Sequence, residues 1–277
     1  LFIVFLDMLK FPPICYVYCF DQSNQKSSYE RLKVSISSVP SHLFIYIITW
    51  HNDLENKLGK DFPCRNIYVI KKKFMKFSKS FFINQISNYA FEKDYKYIYL
   101  SDIDLFFHPE YFFWLEYIMK KLDYKKNDLR IITNNYNIRA RSKIKFLPRK
   151  LYGKLSFYFP DLFDWKIPKS LDEILLREFS KSDYAHGCGL IPINSLLKIG
   201  GYNSEMFGHG PEDDLFNQRI KFFSRLYYHK GNYRSSTFHL PHPALNQQDR
   251  IKNHKYWFDI VDEINYNGIY SEQIEKK

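Results

Sequence analysis

The chain has 277 residues, 45% of them hydrophobic and 19% aromatic, which is enough apolar material for one large core or two small ones. Its 41 basic and 30 acidic residues give a formal net charge of +11, which favours anionic partners without choosing among nucleotides, nucleic acid and acidic lipid. The four scattered cysteines include no CxxC pair, which argues against a zinc ribbon or a disulfide scaffold and favours a reducing compartment.

Apolar runs of strand length alternate with segments of helical periodicity over the first hundred residues. The predicted strands are Ile14–Phe20, Leu43–Thr49, Asn66–Ile70 and Tyr97–Leu100, and the predicted helices are Tyr29–Val39 and Phe81–Phe91. This alternation is typical of βαβ units. It predicts an α/β fold with a mixed, mainly parallel sheet flanked by helices.

The pattern changes after Asp104, where strands become fewer and Arg139–Pro168 is irregular, basic and aromatic. The predicted helices are Pro109–Leu122, with its aromatic residues in the core, Leu171–Phe179 and Pro211–Phe223, and the predicted strands are Arg130–Thr133 and His186–Ile191. We find no internal repeat and no low-complexity linker. The chain is therefore predicted to be one continuous domain over residues 1–277.

Two aspartates, Asp102 and Asp104, directly follow the predicted strand Tyr97–Leu100. Ligands of open parallel sheets bind beyond the carboxyl ends of the strands. Two carboxylates at positions i and i+2 can hold a hard divalent cation there, and such a cation can bind a diphosphate. A turn that merely closes the strand is the equally weighted structural explanation.

An acidic run, Glu212, Asp213 and Asp214, follows Gly208-His209-Gly210-Pro211. Proline at the first helical position and acids in the first turn are ordinary features of a helix start. The functional interpretation is that one carboxylate takes a proton from an attacking hydroxyl, while the glycines allow a sugar to approach closely.

Two further features carry possible chemistry. His239 and His242 flank a Leu-Pro turn, where they are either incidental or complete a metal site that suits Mn²⁺ or Zn²⁺ better than Ca²⁺. The pattern of Lys71, Lys72, Lys73, Lys76 and Lys79 favours a solvated face, and the alternative is a surface that attracts nucleotide phosphates or membrane lipid. The stretch Lys143–Lys154, which includes Phe146, could likewise face an acceptor or a membrane.

Together these motifs resemble the β-1,4-galactosyltransferase family and related transferases of the GT-A fold, over roughly Phe77 to Gly268. The segment FSKSFFINQISNYAFEKDYKYIYLSDIDLFF is similar to the family's helix-to-DxD stretch, and HGCGLIPINSLLKIGGYNSEMFGHGPEDDLFNQRI is similar to its small-residue strand, Gly-Gly turn and acidic helix start. His239 lies 27 positions and His242 lies 30 positions after Glu212, which matches the spacing of the family's late metal ligands.

The resemblance implies an inverting, metal-dependent hexosyltransferase that moves a hexose or N-acetylhexosamine, of galactose type, from a UDP-sugar to a saccharide or lipid-linked saccharide. Residues 1–104 would form the nucleotide-sugar half and residues 105–277 the acceptor and catalytic half. The implied residue roles are Asp104, His239 and His242 for Mn²⁺ or Mg²⁺; Asp102, Asp104 and Asn84 for the donor; Asp213 as the base, with Glu212 and Asp214 beside it; and His209, Gly210 and Asp214 for the acceptor.

Four positions depart from the family's pattern, one of them His239, which stands where the family commonly has a methionine and would make the metal site harder. Ser87 and Pro211 stand where the family has glycine, and His209 stands where it has a tryptophan that packs over the sugars. These departures leave the identity of the sugar and the closure of the loop open. We expect a cytoplasmic enzyme that associates peripherally with the inner membrane face. The first residue is Leu1, so a Golgi-lumenal enzyme with an anchor lost upstream is the alternative.

Two other functions are compatible with the sequence. Acids and histidines also build metal-dependent phosphoesterases. A basic nucleic-acid-binding module would rest on charge alone, because the sequence has no RNP, KH or zinc-finger pattern. We therefore expect no specific nucleic-acid partner.

Overall fold

The computed structural model describes residues 11–18, 25–73, 78–122, 128–143, 151, 159–181, 185–203, 212–229 and 231–243. Their strands, in chain order, are β1 (Ile14–Tyr18), β2 (Ile45–Thr49), β3 (Ile67–Lys71), β4 (Tyr97–Ser101), β5 (Leu105–Phe107), β6 (Leu129–Thr133), β7 (Asn135–Ile138), β8 (Arg141–Ser142), β9 (Phe163–Asp164), β10 (Phe179–Lys181), β11 (Ala185–Pro192), β12 (Arg225–Tyr228) and β13 (Thr237–His239).

The helices of the described residues are α1 (Gln25–Ser38), α2 (Leu54–Asp61), α3 (Lys79–Glu92), α4 (Tyr111–Lys121), α5 (Leu171–Leu175), α6 (Ile193–Lys198) and α7 (Glu212–Ile220), with single 3₁₀ turns at Pro160–Leu162 and Tyr233–Ser235. None of these helices combines the length and the apolar content that a bilayer-spanning segment requires.

The central sheet has seven strands in the order β12-β6-β11-β4-β1-β2-β3. Strands β1 to β4 are mutually parallel, β11 runs antiparallel to both of its neighbours, and β12 pairs parallel with β6. Six of these seven strands therefore share one direction, which confirms the predicted α/β fold with a mixed, mainly parallel sheet. Strands from before and after Asp104 complete the same sheet.

Apolar side chains cover both faces of this sheet, as expected when helices lie on each side. In β1, Ile14 and Tyr16 point into a core with α1, α2 and α4, whereas Cys15 points into a second core with α3, α6 and α7. All three residues are fully buried. The alternation follows from the two-residue period of a strand. It fixes which helices can approach the carboxyl end of β4.

A smaller sheet, β10-β7-β13-β5, begins where β4 ends. Its strands have only three or four residues each, and they pack around a third core that includes Phe106, Ile138 and Phe238. Because β5 follows β4 after three residues, this sheet brings the late strand β13 to the end of β4. The sequence analysis did not predict these strands.

Two predicted helices differ from the structure. The helix predicted over Leu171–Phe179 ends at Leu175, because Phe179 is needed in β10, where it pairs with Ile138 of β7. The aromatic residues of α4 are not all in the core: Phe113 is 76% exposed and Tyr117 is 58% exposed. Because these two residues are four positions apart, they lie on the same side of the helix, and that side points away from the sheet.

Gly189 lies where no side chain fits, in the middle of β11, with φ +116° and a hypothetical Cβ only 2.1 Å from the Ile131 carbonyl oxygen. We expect Gly189→Ala to reduce the free energy of unfolding by on the order of 3 kcal/mol, because the backbone strain adds to a clash that involves main-chain atoms. Gly59→Ala, in exposed α2 with no heavy atom within 4 Å, should instead stabilise by about 0.5–1 kcal/mol. Urea unfolding measures both changes, and equal effects would contradict the strain argument.

Candidate active site

Asp102 and Asp104 lie directly beyond the carboxyl end of β4, and β5 begins at the next residue, Leu105. The chain turns between the two aspartates, so their carboxylates meet different neighbours. Asp104 faces two imidazoles from the end of β13, and Asp102 faces a lysine and a thiol. The segment Asp102-Ile103-Asp104 thus has a different set of charged partners on each side.

The smaller sheet explains how His239 reaches Asp104 although the two are more than 130 residues apart. In the antiparallel pair β13–β5, His239 lies opposite Leu105, the neighbour of Asp104. The Leu240 amide donates a hydrogen bond of 2.7 Å to the Asp104 carbonyl. Register therefore brings His239 to Asp104, and His242 follows one short turn later.

Both histidines present Nε2 to the same carboxylate oxygen of Asp104, Oδ2, at 3.5 Å for His239 and 3.0 Å for His242. Burial alone would raise the pKa of Asp104, but the two imidazoles and, more weakly, Arg31 hold it well below its ordinary value. Burial lowers the pKa of His239. Burial also acts to lower the pKa of His242, but the hydrogen bond to Asp104, the charge of Asp104 and the hydrogen bond to Pro243 together outweigh it and raise that pKa.

These three side chains suit a metal ion. Their ligand atoms all lie within 4.8 Å of one another. Two ligands about 2.1 Å from one ion can be up to about 4 Å apart, so the three side chains would draw together slightly around an ion. His242 Nδ1–H donates to the Pro243 carbonyl at 2.8 Å, which orients Nε2 toward the cluster. Asp104 Oδ1 is buried and has no hydrogen-bond partner among the described residues. One carboxylate and two imidazoles form a donor set for Mn²⁺, Fe²⁺ or Zn²⁺ rather than Ca²⁺.

On the other side of the turn, Lys79 lies between two acidic residues. Its Nζ is 3.1 Å from Asp102 Oδ1 and 3.0 Å from Asp213 Oδ2, and its side chain is only 14% exposed. Cys188 Sγ donates to Asp102 Oδ2 at 3.2 Å, so both oxygens of Asp102 have partners. Burial disfavours the ammonium, but Asp102 and Asp213, with Glu212, raise the pKa of Lys79 well above its ordinary value.

Lys79 is the first residue of α3, whose preceding residue Ser78 accepts a hydrogen bond from the Phe81 amide at 3.2 Å. This N-cap fixes the helix start next to the end of β4. The sequence pattern groups Lys79 with Lys71–Lys73 and favours a solvated face. That interpretation fits the exposed lysines Lys71–Lys73 and is wrong for Lys79, which is largely buried beside Asp102 and Asp213.

A fully buried arginine, Arg130 of β6, anchors α7 beneath this cluster. Its Nε donates to Asn217 Oδ1 at 3.1 Å, and its Nη1 donates to the carbonyls of Ile131, Cys188 and Leu190 at 2.8 to 3.3 Å. The guanidinium also lies 5.8 Å from the Phe216 ring centroid. These contacts fix the start of α7, and with it the acidic first turn, against β6 and β11.

The first turn of α7 brings Glu212 and Asp213 to Lys79. Glu212 is 5% exposed, and its Oε2 has no partner among the described residues. Burial, followed by the charge of Asp213, raises the pKa of Glu212 to about 8, so this carboxyl holds a proton at neutral pH. Asp213 uses Oδ2 for Lys79, while its Oδ1 is buried with no partner in the described part of the chain.

Gly187 of β11 lies directly under the Asp213 carboxylate. A Cβ at this position would be 2.2 Å from Asp213 Oδ2 and 2.6 Å from Oδ1. The small-residue strand therefore lets the acidic helix start approach the sheet.

Asn84 of α3 makes two hydrogen bonds to the backbone of Tyr202: Nδ2 donates to its carbonyl at 2.9 Å, and Oδ1 accepts from its amide at 2.8 Å. Gly201, with φ +80°, leaves no room for a Cβ beside Asn84. The Tyr202 ring stacks on Phe216 at 4.1 Å. Asn84 thus links α3 to α7 through the Gly-Gly turn, and a donor contact for Asn84 stays a prediction.

The structure does not bring every predicted residue together. His209, Gly210 and Pro211 lie outside the described residues, as do Cys19 and Phe146. Asp214 lies in the first turn of α7 and is partly buried. Lys79, Arg130 and Gly187 were not singled out as site residues. The sequence signal for two of them was available, since Lys79 is five residues before Asn84 and Gly187 lies in the small-residue strand.

A cavity of about 450 Å³ opens beyond the carboxyl ends of β1 and β2. It is lined by Tyr18, Tyr29, His51, Asn52, Asp53, Leu54 and Lys57. Arg31 of α1 is 6% exposed, and its guanidinium interacts electrostatically with both Tyr18 of the cavity and Asp104. The charge of this buried arginine therefore acts on one residue of the cavity and on Asp104.

No family model matches the sequence, and no curated protein is significantly similar to it. Its structural neighbours include Staphylococcus aureus TarS, with a TM-score of 0.49 and 10% identity over 86% of this chain and 37% of that one. The TarS fragment 1–349 in complex with UDP-GlcNAc gives a TM-score of 0.48 and 10% identity over 84% of this chain and 60% of that one. The chain thus spans less than two thirds of these neighbours. The site itself carries the functional argument.

The buried proton of Glu212 predicts how stability depends on pH. Between the ordinary value of 4.5 and the folded pKa of about 8, the folded protein binds a proton that the unfolded chain lacks. The free energy of unfolding therefore falls as pH rises through this interval. In Glu212→Gln this contribution should disappear, so urea unfolding at pH 5 and pH 8 should give a smaller loss for the variant than for the wild type. Equal losses would contradict the assignment.

Proposed function

We propose that this chain is a metal-dependent glycosyltransferase that moves a hexose or N-acetylhexosamine from a UDP-sugar to a saccharide acceptor with inversion. One observation carries the proposal. Of the two carboxylates that flank Ile103, Asp104 forms a cluster of possible metal ligands with two histidines, and Asp102 contacts Lys79, which also pairs with Asp213 at the start of α7. A donor diphosphate needs the first group, and an acceptor hydroxyl needs the second. The motif resemblance to the β-1,4-galactosyltransferases supports this division and suggests a galactose-type donor.

The cavity beyond β1 and β2 supports a nucleotide donor. Its volume of about 450 Å³ is in the range of small-ligand sites, and it lies at the edge of the sheet where such ligands bind. Tyr18, Tyr29 and His51 provide flat surfaces for a base, and Asn52 and Asp53 provide polar groups for a ribose. Arg31 interacts electrostatically with Tyr18 of the cavity and with Asp104, so its positive charge would favour a diphosphate bound near either residue.

We assign the metal to Asp104, His239 and His242, with Mn²⁺ as the first choice and Mg²⁺ as the alternative. The donor set and the buried, unpartnered Asp104 Oδ1 fit a bound cation. When bound, such an ion would neutralise the negative charge that develops on the leaving nucleoside diphosphate. Asp102, whose oxygens contact Lys79 and Cys188 instead, we assign to the donor sugar rather than to the metal.

Asp213 is the base that we propose for the acceptor. Its Oδ1 would take the proton of the acceptor hydroxyl while that oxygen forms a bond to the anomeric carbon and the bond from this carbon to the phosphate oxygen breaks. Glu212 is a poorer candidate, because a carboxyl with a pKa of about 8 already holds a proton at neutral pH. Glu212 is suited instead to donate a hydrogen bond, and Asp214, with His209 and Gly210, we assign to the acceptor side.

The acceptor that we favour is a saccharide, free or linked to a lipid. The net charge of +11 would support peripheral contact with an anionic membrane surface that carries such a lipid.

The function is tested by assaying UDP-sugars with Mn²⁺ and a panel of saccharide acceptors. We expect sugar transfer that needs both metal and acceptor, whereas phosphate release from simple phosphoesters without transfer would indicate a phosphoesterase. Asp104→Ala should abolish metal-dependent transfer, because it removes the carboxylate ligand of the cluster that the described residues form. His239→Ala and His242→Ala should each weaken Mn²⁺ binding by roughly tenfold or more, measured by calorimetry.

His42→Ala is the matched control for these histidine variants. His42 is exposed and precedes β2, at the edge of the sheet opposite to the carboxyl ends. Its removal should leave Mn²⁺ affinity unchanged. If His239→Ala and His242→Ala also leave the affinity unchanged, the metal assignment is wrong.

Asp213→Asn preserves size and removes the base. Turnover should fall by about 10²–10⁴-fold, the usual contribution of a positioned base, while Mn²⁺ and donor affinity should stay near wild type. Transfer and donor binding should be measured separately for this variant, for Glu212→Gln and for Asp214→Asn. If Asp213→Asn retains near-normal transfer and Glu212→Gln does not, the base is one residue earlier. If all three variants retain transfer, the base does not come from this turn.

A further inference from the structure

The side chain of Lys79 is the point where the two halves of the site meet. Its ammonium is 3.1 Å from Asp102 Oδ1 and 3.0 Å from Asp213 Oδ2. Asp102 follows β4, whereas Asp213 belongs to the acidic first turn of α7. Glu212 adds a third acid that faces the same ammonium. One unit of positive charge therefore faces three carboxyl groups, of which Glu212 and Asp213 are largely buried and Asp102 is 42% exposed at its side chain.

We propose that Lys79 is a positioning residue that orients Asp213 for proton transfer; the role rests on the glycosyltransferase function proposed above. This role follows from the different surroundings of the two Asp213 carboxylate oxygens. Lys79 occupies Asp213 Oδ2, and Asp213 Oδ1 has no partner among the described residues. A carboxylate held by one oxygen keeps the other in a fixed direction, so the proton would be transferred at Oδ1 once an acceptor hydroxyl reaches this buried atom.

Gly187 completes this restraint from below. Because a Cβ there would overlap both Asp213 oxygens, the carboxylate lies flat on the strand and cannot rotate toward it. Lys79 pulls the same carboxylate from the side of α3. Two independent contacts, one ionic and one steric, therefore fix Asp213 χ2. Loss of Lys79 removes the first, and an added Cβ at Gly187 disturbs the second.

Lys79 also connects the base to the donor side. Asp102 is held through Oδ1 by the same ammonium, and Cys188 holds its other oxygen. No contact joins Lys79 to Asp104, His239 or His242 among the ion pairs of the described residues. Loss of Lys79 should therefore affect turnover and the acid positions but not the metal ligands.

The test is a double-mutant cycle on transfer turnover with Lys79→Met and Asp213→Asn. If Lys79 acts through Asp213, Lys79→Met should lower kcat by about 10–100-fold alone and by less than about threefold in the Asp213→Asn background, because residues that act as a unit are not additive. Mn²⁺ affinity should stay within about threefold of wild type, which separates positioning from metal binding. Lys79→Arg, which keeps the charge, should restore kcat to within about tenfold.

Gly187→Ala gives a second approach that keeps the lysine. The clash is with the end of a side chain rather than with backbone, so the fold should survive while the Asp213 carboxylate moves away from Nζ. Its effect on kcat should match that of Lys79→Met and should also vanish in the Asp213→Asn background. The control is Lys120→Met, which removes an exposed lysine paired with Glu116 on α4 and should leave kcat unchanged.

The outcomes separate the two proposals. Additive losses in the cycle, with active wild-type enzyme, overturn the positioning role and leave the glycosyltransferase function intact. A wild-type protein without transfer to any acceptor overturns the function and the role together. The same cycle, measured on the free energy of urea unfolding, then tests the ion pair alone. Coupling between Lys79→Met and Asp213→Asn supports the contact, and additive losses contradict it.

Discussion

The arrangement of the site depends on charge compensation around one buried ammonium. Asp102, Glu212 and Asp213 would repel one another if all three were ionised in a site that is largely shielded from water. Lys79 reduces this repulsion by pairing with Asp102 and Asp213. Glu212 adds no negative charge as long as it retains its proton. Breaking such a pair leaves an uncompensated buried charge, which is costly. Two helix starts and the end of a strand are therefore held in one arrangement.

The frame around this cluster consists of polar contacts that cross the sheet. Arg130 is fully buried, and it uses backbone carbonyls of β6 and β11 together with Asn217 of α7. Asn84 connects α3 to the turn before α7. Because buried hydrogen-bonding groups are expensive to leave unpaired, these contacts specify one position for α7. Apolar packing, which is tolerant of small shifts, would specify it less sharply.

The sequence predicted the parallel half of the fold because β1 to β4 and their helices carry strong local signals: apolar runs of five residues and a helical period. It did not predict the smaller sheet, since strands of three or four residues are too short to show a period of two. Lys79 and Arg130 were missed for a different reason. Lysine and arginine are rarely buried, and only tertiary contacts reveal that these two are. The acidic turn and the two histidines could be named in advance because their spacing, not their environment, carried the signal.

Gly187 has a consequence for how sequences of this kind can diverge. The strand HGCG carries no side chain at the one position where Asp213 rests, so every replacement for glycine puts a carbon atom where a carboxylate oxygen now lies. A change there is tolerated only if the acid on α7 is shortened, moved or abandoned at the same time. The glycine at position 187 and the acid at position 213 should therefore change together or not at all. The combination of this glycine and this acid can persist after other sequence similarity between two chains has been lost.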